Sequence, residues 1–340
     1  TITSVIFSVF FLMGVLSITE RVEAKPVTLI FTTHQFDGDT MCTQFFKPWF
    51  KEIEERSGGQ VKIEPHWGGE LASPMEAYEM TEKGIVDMAH FFPSMVPGKF
   101  VMDEIMMMSP YTTNTYRLGR VYWELHKAFP EMQAQFDETK LIWKGVLFQS
   151  GLGTMKKKVL KLGDVKGMRI TAMGDWHAER LKAIGASPQS VGPADAFMAA
   201  QRGLIDGFTM PAFMLDDFKF GEVTKYMTLM HTNQPLFAVV LNLKKWNSLP
   251  ADIQKIFEET AETRIDLWDE IQKKVDIVAM KSVTDKYGTE FIEISQEELA
   301  RFDEADKTVQ ERYVAQLESK GQPGKALKKK FLKLMEEYSD

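Results

Sequence analysis

The sequence predicts an α/β protein of two lobes, and three observations carry that expectation. Residues 164–211 read as strand, helix, strand, helix, strand, with a turn residue at each boundary. Residues 28–92 repeat the cadence. The chain has 340 residues, and chains of that size divide into units of roughly 100 to 200 residues. Strands alternating with short helices form parallel sheets, which hold ligands at the carboxyl ends of their strands.

Thr28–Thr33 is the first expected strand, and HQFDGDT is the loop at its carboxyl end. A helix from about Met41 to Arg56 stops at Ser57-Gly58-Gly59, ahead of the strand VKIEPHW. A second helix over 74–83 ends at Gly84, and a strand runs from Val86 to Phe92. The stretch 100–149 is less regular. It holds the run Met106-Met107-Met108, read as core packing, a helix from about Thr115 to Ala128, and the strand LIWKGVLF. Gln149–Thr154 then crosses to the second lobe.

In DVKGMRITAM, Gly167 turns the chain into a short strand. Asp175 is the expected N-cap of WHAERLKAIGA, where Ala178, Leu181 and Ile184 recur at helical spacing and Gly185 supplies a left-handed stop. SPQSV is a second strand. Pro193 opens the next helix, Phe197 and Ala200 share its stripe, Gly203 ends it, and LIDGFTMP is the third strand. LFAVVLN at 236–242 leads back toward the first lobe. From Asp252 to about Tyr287 there is neither glycine nor proline, and Ile253, Ile256, Phe257, Ala261, Ile265 and Trp268 keep near-helical spacing. GTEFIEIS is a late strand, and a terminal helical segment breaks near Gln322-Pro323-Gly324. The expected division is 25–149 with a return segment at about 236–270 as lobe I, and 150–235 with part of about 271–340 as lobe II.

A net charge of -7 gives no basic face to displace counterions from phosphate, which argues against nucleic acid. KKKVLK at 156–161 and KALKKK at 325–330 read as solvated faces. Residues 2–18 form the one long apolar run, and Val22-Glu23-Ala24 has the small-x-small pattern of a signal-peptidase site. The expectation is a signal peptide over 1–24, cleaved after Ala24, and a periplasmic mature protein. The rival is an uncleaved anchor, although the run is short for a span. Cys42 stands alone, so no disulfide is expected, and a small buried residue is its plain reading.

Enzyme motifs are missing: the sequence has no GxSxG, HExxH, CxxC, P-loop or GxGxxG, and its six histidines include no metal-spaced pair. No catalytic residue, metal site or cofactor is expected.

The ordered run DVKGMRI (164–170), helix, GASP (185–188), helix, QRGLIDG (201–207) and Pro211 resembles the solute-binding subunit of the tripartite ATP-independent periplasmic (TRAP) transporters. FKFGEVTKY at 218–226 and LNLKKWNSLPADIQK at 241–255 extend the resemblance over nearly the whole chain beyond the leader. It implies a two-lobed periplasmic-binding-protein-like fold. Two open mixed sheets would be flanked by helices and joined by crossing strands, with one long helix spanning both lobes. It also implies a cleft that closes on a small organic solute by hinge motion and delivers it to TRAP membrane permease subunits. The chain would meet the membrane only through that permease. The alternatives are a ligand-presenting subunit for a sensor or another transporter class, and an exported enzyme.

The resemblance implies a ligand-binding arginine two residues beyond the basic residue of the KG turn, where its guanidinium fork grips a carboxylate. Thr171 stands there. Arg169 shares its face roughly 6.6 Å further back, as a candidate replacement or a surface arginine. The other ligand positions that the pattern implies are His34, Gln35 and Phe36 after the first strand, Glu70 in the next loop, and Phe91 and Phe92 after the third strand. Met173 and Trp176 follow the altered strand, and Phe208, Met210 and Phe213 surround Asp206-Gly207. Each aromatic alone is more often core than ligand contact. Together they suggest apolar walls with few polar anchors, suited to a partly apolar or aromatic organic acid or amide-bearing solute rather than a C4-dicarboxylate or sialic acid. Asp206 reads as a turn residue, and Trp246 and Pro250 as packing and helix-start residues.

Overall fold

The computed structural model describes residues 26–112, 116–147, 151–232 and 234–339. The expected signal peptide and residues 148–150 of the first crossing lie outside them.

The first lobe is built on strands β1 (Val27–Thr32), β2 (Val61–His66), β3 (Met88–Phe91), β4 (Thr139–Val146) and, from far downstream, β10 (Leu236–Asn242). They lie in the order β2-β1-β3-β10-β4, with β10 antiparallel to both neighbours. β10 is buried along its whole length, as expected of the continuous apolar run LFAVVLN. The second lobe carries β5 (Gly151–Thr154), β6 (Arg169–Thr171), β7 (Ser187–Gln189), β8 (Gly207–Met210), β9 (Tyr226–Leu229) and β11 (Glu290–Glu293), in the order β11-β9-β5-β8-β6-β7. Here β5 is the reversed strand.

That reversal sets the architecture. The carboxyl end of β4 feeds the amino end of β5, and the carboxyl end of β9 feeds the amino end of β10. The described ends of the two crossings meet, with Leu147 N–H donating to Pro235 O at 2.9 Å. The carboxyl edges of the parallel strands in both sheets therefore face the same hinge.

Helices α1 (Lys47–Arg56), α2 (Ala77–Glu82), α3 (Leu118–Ala128) and α4 (Pro130–Ala134) flank the first sheet. The stretch before α1, 42–46, is wound as a wider π turn, so the expected helix from Met41 is continuous but not uniform. Helices α5 (Asp175–Ala183), α6 (Pro193–Gln201) and α7 (Ala212–Asp217) flank the second. Asp175 is the first residue of α5 rather than its cap, because Gly174 occupies that place at φ +87. After α8 (Leu243–Ser248) comes α9 (Ala251–Tyr287), 37 residues long, or about 55 Å at 1.5 Å per residue. It packs on α1, α3 and β4 in its first half and on α7 and β11 further along. Phe257, Ile265 and Trp268 are sealed in the main core, each stabilising the helix by about 1.5–3 kcal/mol through burial. Helices α10 (Gln296–Ser319) and α11 (Gly324–Glu337) finish the chain, with α10 against α5 and α11 back against α3. Met106, Met107 and Met108 are buried core residues, as is the free thiol of Cys42. Among the described residues no helix is long and apolar enough to cross a membrane.

Candidate ligand-binding cleft

At the carboxyl edge of the first sheet, β1 delivers Thr33, His34 and Gln35, and β3 delivers His90 and Phe92. β10 begins beside them with Leu236 and Phe237. The imidazoles of His34 and His90 stack with ring centres 5.1 Å apart and planes 18° apart. Phe92 lies 4.5 Å from the His34 ring and 4.8 Å from Phe237, which is itself 4.8 Å from His90. Alternation along β3 explains the selection: Met88, His90 and Phe92 point to this face, while Ala89 and Phe91 point to the other. Phe91 accordingly packs with Tyr78 and Phe100 in a separate core.

Hydrogen bonds fix both rings. Gln35 Nε2 lies 3.2 Å from His34 Nε2, and Thr33 Oγ1 lies 3.0 Å from His90 Nδ1. The opposite nitrogens, His34 Nδ1 and His90 Nε2, are sealed from solvent without a partner among the described residues. Burial pushes His34 down to about 3 and His90 well below the usual imidazole range, because the charged form loses its hydration. Both rings are neutral at physiological pH.

The second sheet brings Thr171 and Met210 to its own carboxyl edge, with Met173 just beyond. Met173 and Phe213 pack into the same cluster as Phe92, so this cluster joins the two lobes. At the mouth, Phe36 meets Phe218 edge-on at 5.8 Å, and Thr40 N–H donates to Asp217 Oδ2 at 3.3 Å. Among the described residues, the Thr209 hydroxyl and the Nε2 atoms of His177 and His231 are also buried without a partner. In the second crossing, Gln234 Nε2 lies 2.8 Å from His231 Nδ1.

Of the expected ligand positions, the fold brings His34, Phe36, Phe92, Thr171, Met173, Met210 and Phe213 to the facing edges and places five elsewhere. Phe91 turns to the far face, as described. Phe208 alternates away from Thr209 and packs on Phe220, 4.7 Å off. Trp176 shares a face of α5 with Arg180 and meets Tyr313 edge-on at 5.3 Å, among the methionines of the 102–108 segment. Glu70 lies exposed beside the edge strand β2, 3.1 Å from His66. Arg169 sits at the amino-terminal start of β6, the edge opposite the hinge, and is bound to Asp206. Arg180 is also committed, with its Nε 2.7 Å from Asp306 and its Nη2 2.9 Å from the Ser109 carbonyl. The ring His90 was missed in the sequence, although the period of β3 places it beside Phe92.

Residues 32–317 match the family described as bacterial extracellular solute-binding protein, family 7. The C4-dicarboxylate-binding periplasmic protein DctP of Rhodobacter capsulatus is 27% identical over 293 residues, spanning 83% of this chain and 84% of that protein. The fold is shared with a marine metagenome TRAP solute binding protein specific for aromatic acid ligands, solved with 3-hydroxybenzoate. That likeness has a TM-score of 0.86 at 20% identity, over 93% of this chain and 100% of the other. A TRAP solute binding protein from Rhodoferax ferrireducens, solved with copurified benzoate, gives a TM-score of 0.84 at 21% identity, over 92% of this chain and 98% of the other.

A two-lobed α/β fold with its strand ends turned to a common hinge is that of a solute receptor. The chain belongs to family 7 of the bacterial extracellular solute-binding proteins. It is a TRAP-type binding protein of a periplasmic family, whose members are receptors for transport and not enzymes.

Proposed function

We propose that this chain captures a small organic acid with an apolar or aromatic body between its lobes and delivers it to a TRAP membrane permease. The working protein is periplasmic, released by cleavage after Ala24. The observation that carries the reading is the wall formed by His34, Phe92 and Phe237 at the hinge edge, with ring centres 4.5 and 4.8 Å apart. Aromatic faces of this kind suit a flat apolar body. Phe36, Met173, Met210 and Phe213 extend the apolar surface, and Thr171 offers a hydroxyl where an arginine fork would set a dicarboxylate. Relatives in fold that were solved with benzoate and 3-hydroxybenzoate support the same ligand class. A ligand touching both lobes favours the closed state by its differential affinity, and the permease reads that state.

A thermal-shift screen of the mature protein against benzoate, 3-hydroxybenzoate, mandelate and succinate tests this. A true ligand at a hundredfold excess over Kd stabilises by about 2.7 kcal/mol. Shifts with the aromatic acids are expected. A shift with succinate alone overturns the reading.

A further inference from the structure

The hinge-edge wall contains two imidazoles whose polar atoms are only half used. As placed, the amide of Gln35 donates to His34 Nε2, at 3.2 Å. Thr33 Oγ1 accepts the backbone N–H of Gln35 at 3.2 Å, which leaves its own hydrogen for His90 Nδ1 at 3.0 Å. A neutral imidazole that accepts at one nitrogen carries its proton on the other. The proton of His34 is then on Nδ1 and that of His90 on Nε2, and these are the two atoms of the pair left buried without a partner among the described residues. An unmet buried donor costs about 1–3 kcal/mol, so two in one stacked pair call for an acceptor.

We propose that His34 and His90 set the specificity of the cleft by presenting two neutral N–H donors, His34 Nδ1–H and His90 Nε2–H, to the carboxylate oxygens of the ligand. The proposal rests on the reading of the cleft given above and names how the acid group is recognised. A carboxylate has only acceptors to offer, whereas a primary amide turns an N–H toward one of the two donors. The wall therefore selects the acid over its amide without a cation. The arginines nearest in the second lobe's sequence are bound elsewhere, Arg169 to Asp206 and Arg180 to Asp306.

The test uses the mature protein labelled with 15N at histidine, read by long-range proton–nitrogen correlation, with benzoate and benzamide as probes. Without ligand, the Nδ1–H tautomer is expected for His34 and the Nε2–H tautomer for His90. Saturating benzoate is expected to move both protonated nitrogens, and benzamide to bind at least tenfold more weakly. His34→Phe and His90→Phe are expected to weaken benzoate at least tenfold, while His34→Asn and His90→Gln, which keep an N–H near the same position, stay within a few-fold of wild type. Melting curves identify any variant that has lost its fold, and the tautomers of the wild-type protein do not depend on those variants. The opposite tautomer at either ring, unmoved signals on saturation, or full affinity in a folded Phe variant overturns the proposal. Wild-type protein that binds no aromatic acid overturns the functional reading instead, and the tautomers then judge the donor pair alone.

Discussion

Arg169 and Asp206 hold one another through two parallel hydrogen bonds, Nε to Oδ2 at 2.9 Å and Nη2 to Oδ1 at 2.8 Å, while Nη2 also donates to the Gly203 carbonyl. The backbone repeats the contact, with Arg169 N–H donating to Asp206 Oδ2 and Asp206 N–H to Arg169 O. The pair joins the starts of β6 and β8 at the edge away from the hinge. The Arg169 guanidinium holds the Asp206 carboxyl below the usual carboxylate range, and both side chains are about two-fifths exposed, at 41% and 40%.

From that geometry, Arg169→Ala is expected to lower the melting temperature slightly and to leave ligand affinity unchanged, since exposed pairs are weak and this one is far from the cleft. Calorimetric titration of the variant with whichever acid stabilises the wild type checks it. Loss of binding in a folded Arg169→Ala protein would return the arginine to the ligand site.

A buried ion pair under the first sheet is a stronger determinant of stability. Lys144 Nζ lies 2.5 Å from Asp103 Oδ1, and neither side chain has exposed surface. Asp103 also accepts from Tyr122 Oη and from Gln135 Nε2. Lys144→Met strands a buried carboxylate, and a loss of about 3–5 kcal/mol is expected. Urea unfolding measures it, and the double variant Lys144→Met with Asp103→Asn is expected to recover part of the loss.

Stability is also expected to depend on pH with two opposing limbs. Burial holds His34 and His177 down to about 3 and His231 to about 4, against about 6.5 in the unfolded chain. Below pH 6.5 the unfolded chain takes up protons that the native state refuses, so each such histidine removes about 1.4 kcal/mol per pH unit as pH falls toward its folded value. Burial raises Glu104 and Asp276 to about 7. Their contribution is complete below the unfolded carboxyl range and is lost as pH rises to 7. The ligand-free melting temperature should therefore fall steeply below about pH 4.5, where of these two sets only the histidines act and carboxylates held low by ion pairs, such as Asp206, add to the loss. It should change more gently between 4.5 and 6.5, where the two sets oppose. Glu104→Gln is expected to steepen the second limb and raise stability at pH 8, and melting curves from pH 3.5 to 8 decide it.

Much of both lobes was readable because the signals are local. Gly84 at φ +72, Gly185 at φ +88 and Gly203 at φ +69 end their helices as expected, since only glycine adopts that conformation without strain. β5 was not readable as a strand, because GLGT carries no β-branched or aromatic pattern before its last residue. Its Gly153 is required by packing: a Cβ there would lie 2.6 Å from the Phe208 ring of the neighbouring strand. The same locality limits what can be read at the cleft. Phe91 and His90 are neighbours on one strand, and a period of 2 sends them to opposite faces, so the face is known only once the sheet is assembled.

By itself the sequence determined most of the order of strands and helices, the long helix, and the resemblance that points to the family. Each of these is written in nearest-neighbour pattern or in residue identity at a fixed spacing. Tertiary structure alone decided that Arg169 is bound to Asp206, that Trp176 turns to Tyr313, and that His34 stacks on His90 across 55 intervening positions of chain. Those outcomes depend on which side chains the sheets bring together from distant segments, and on burial, which leaves a polar atom unpaired only once its surroundings have closed.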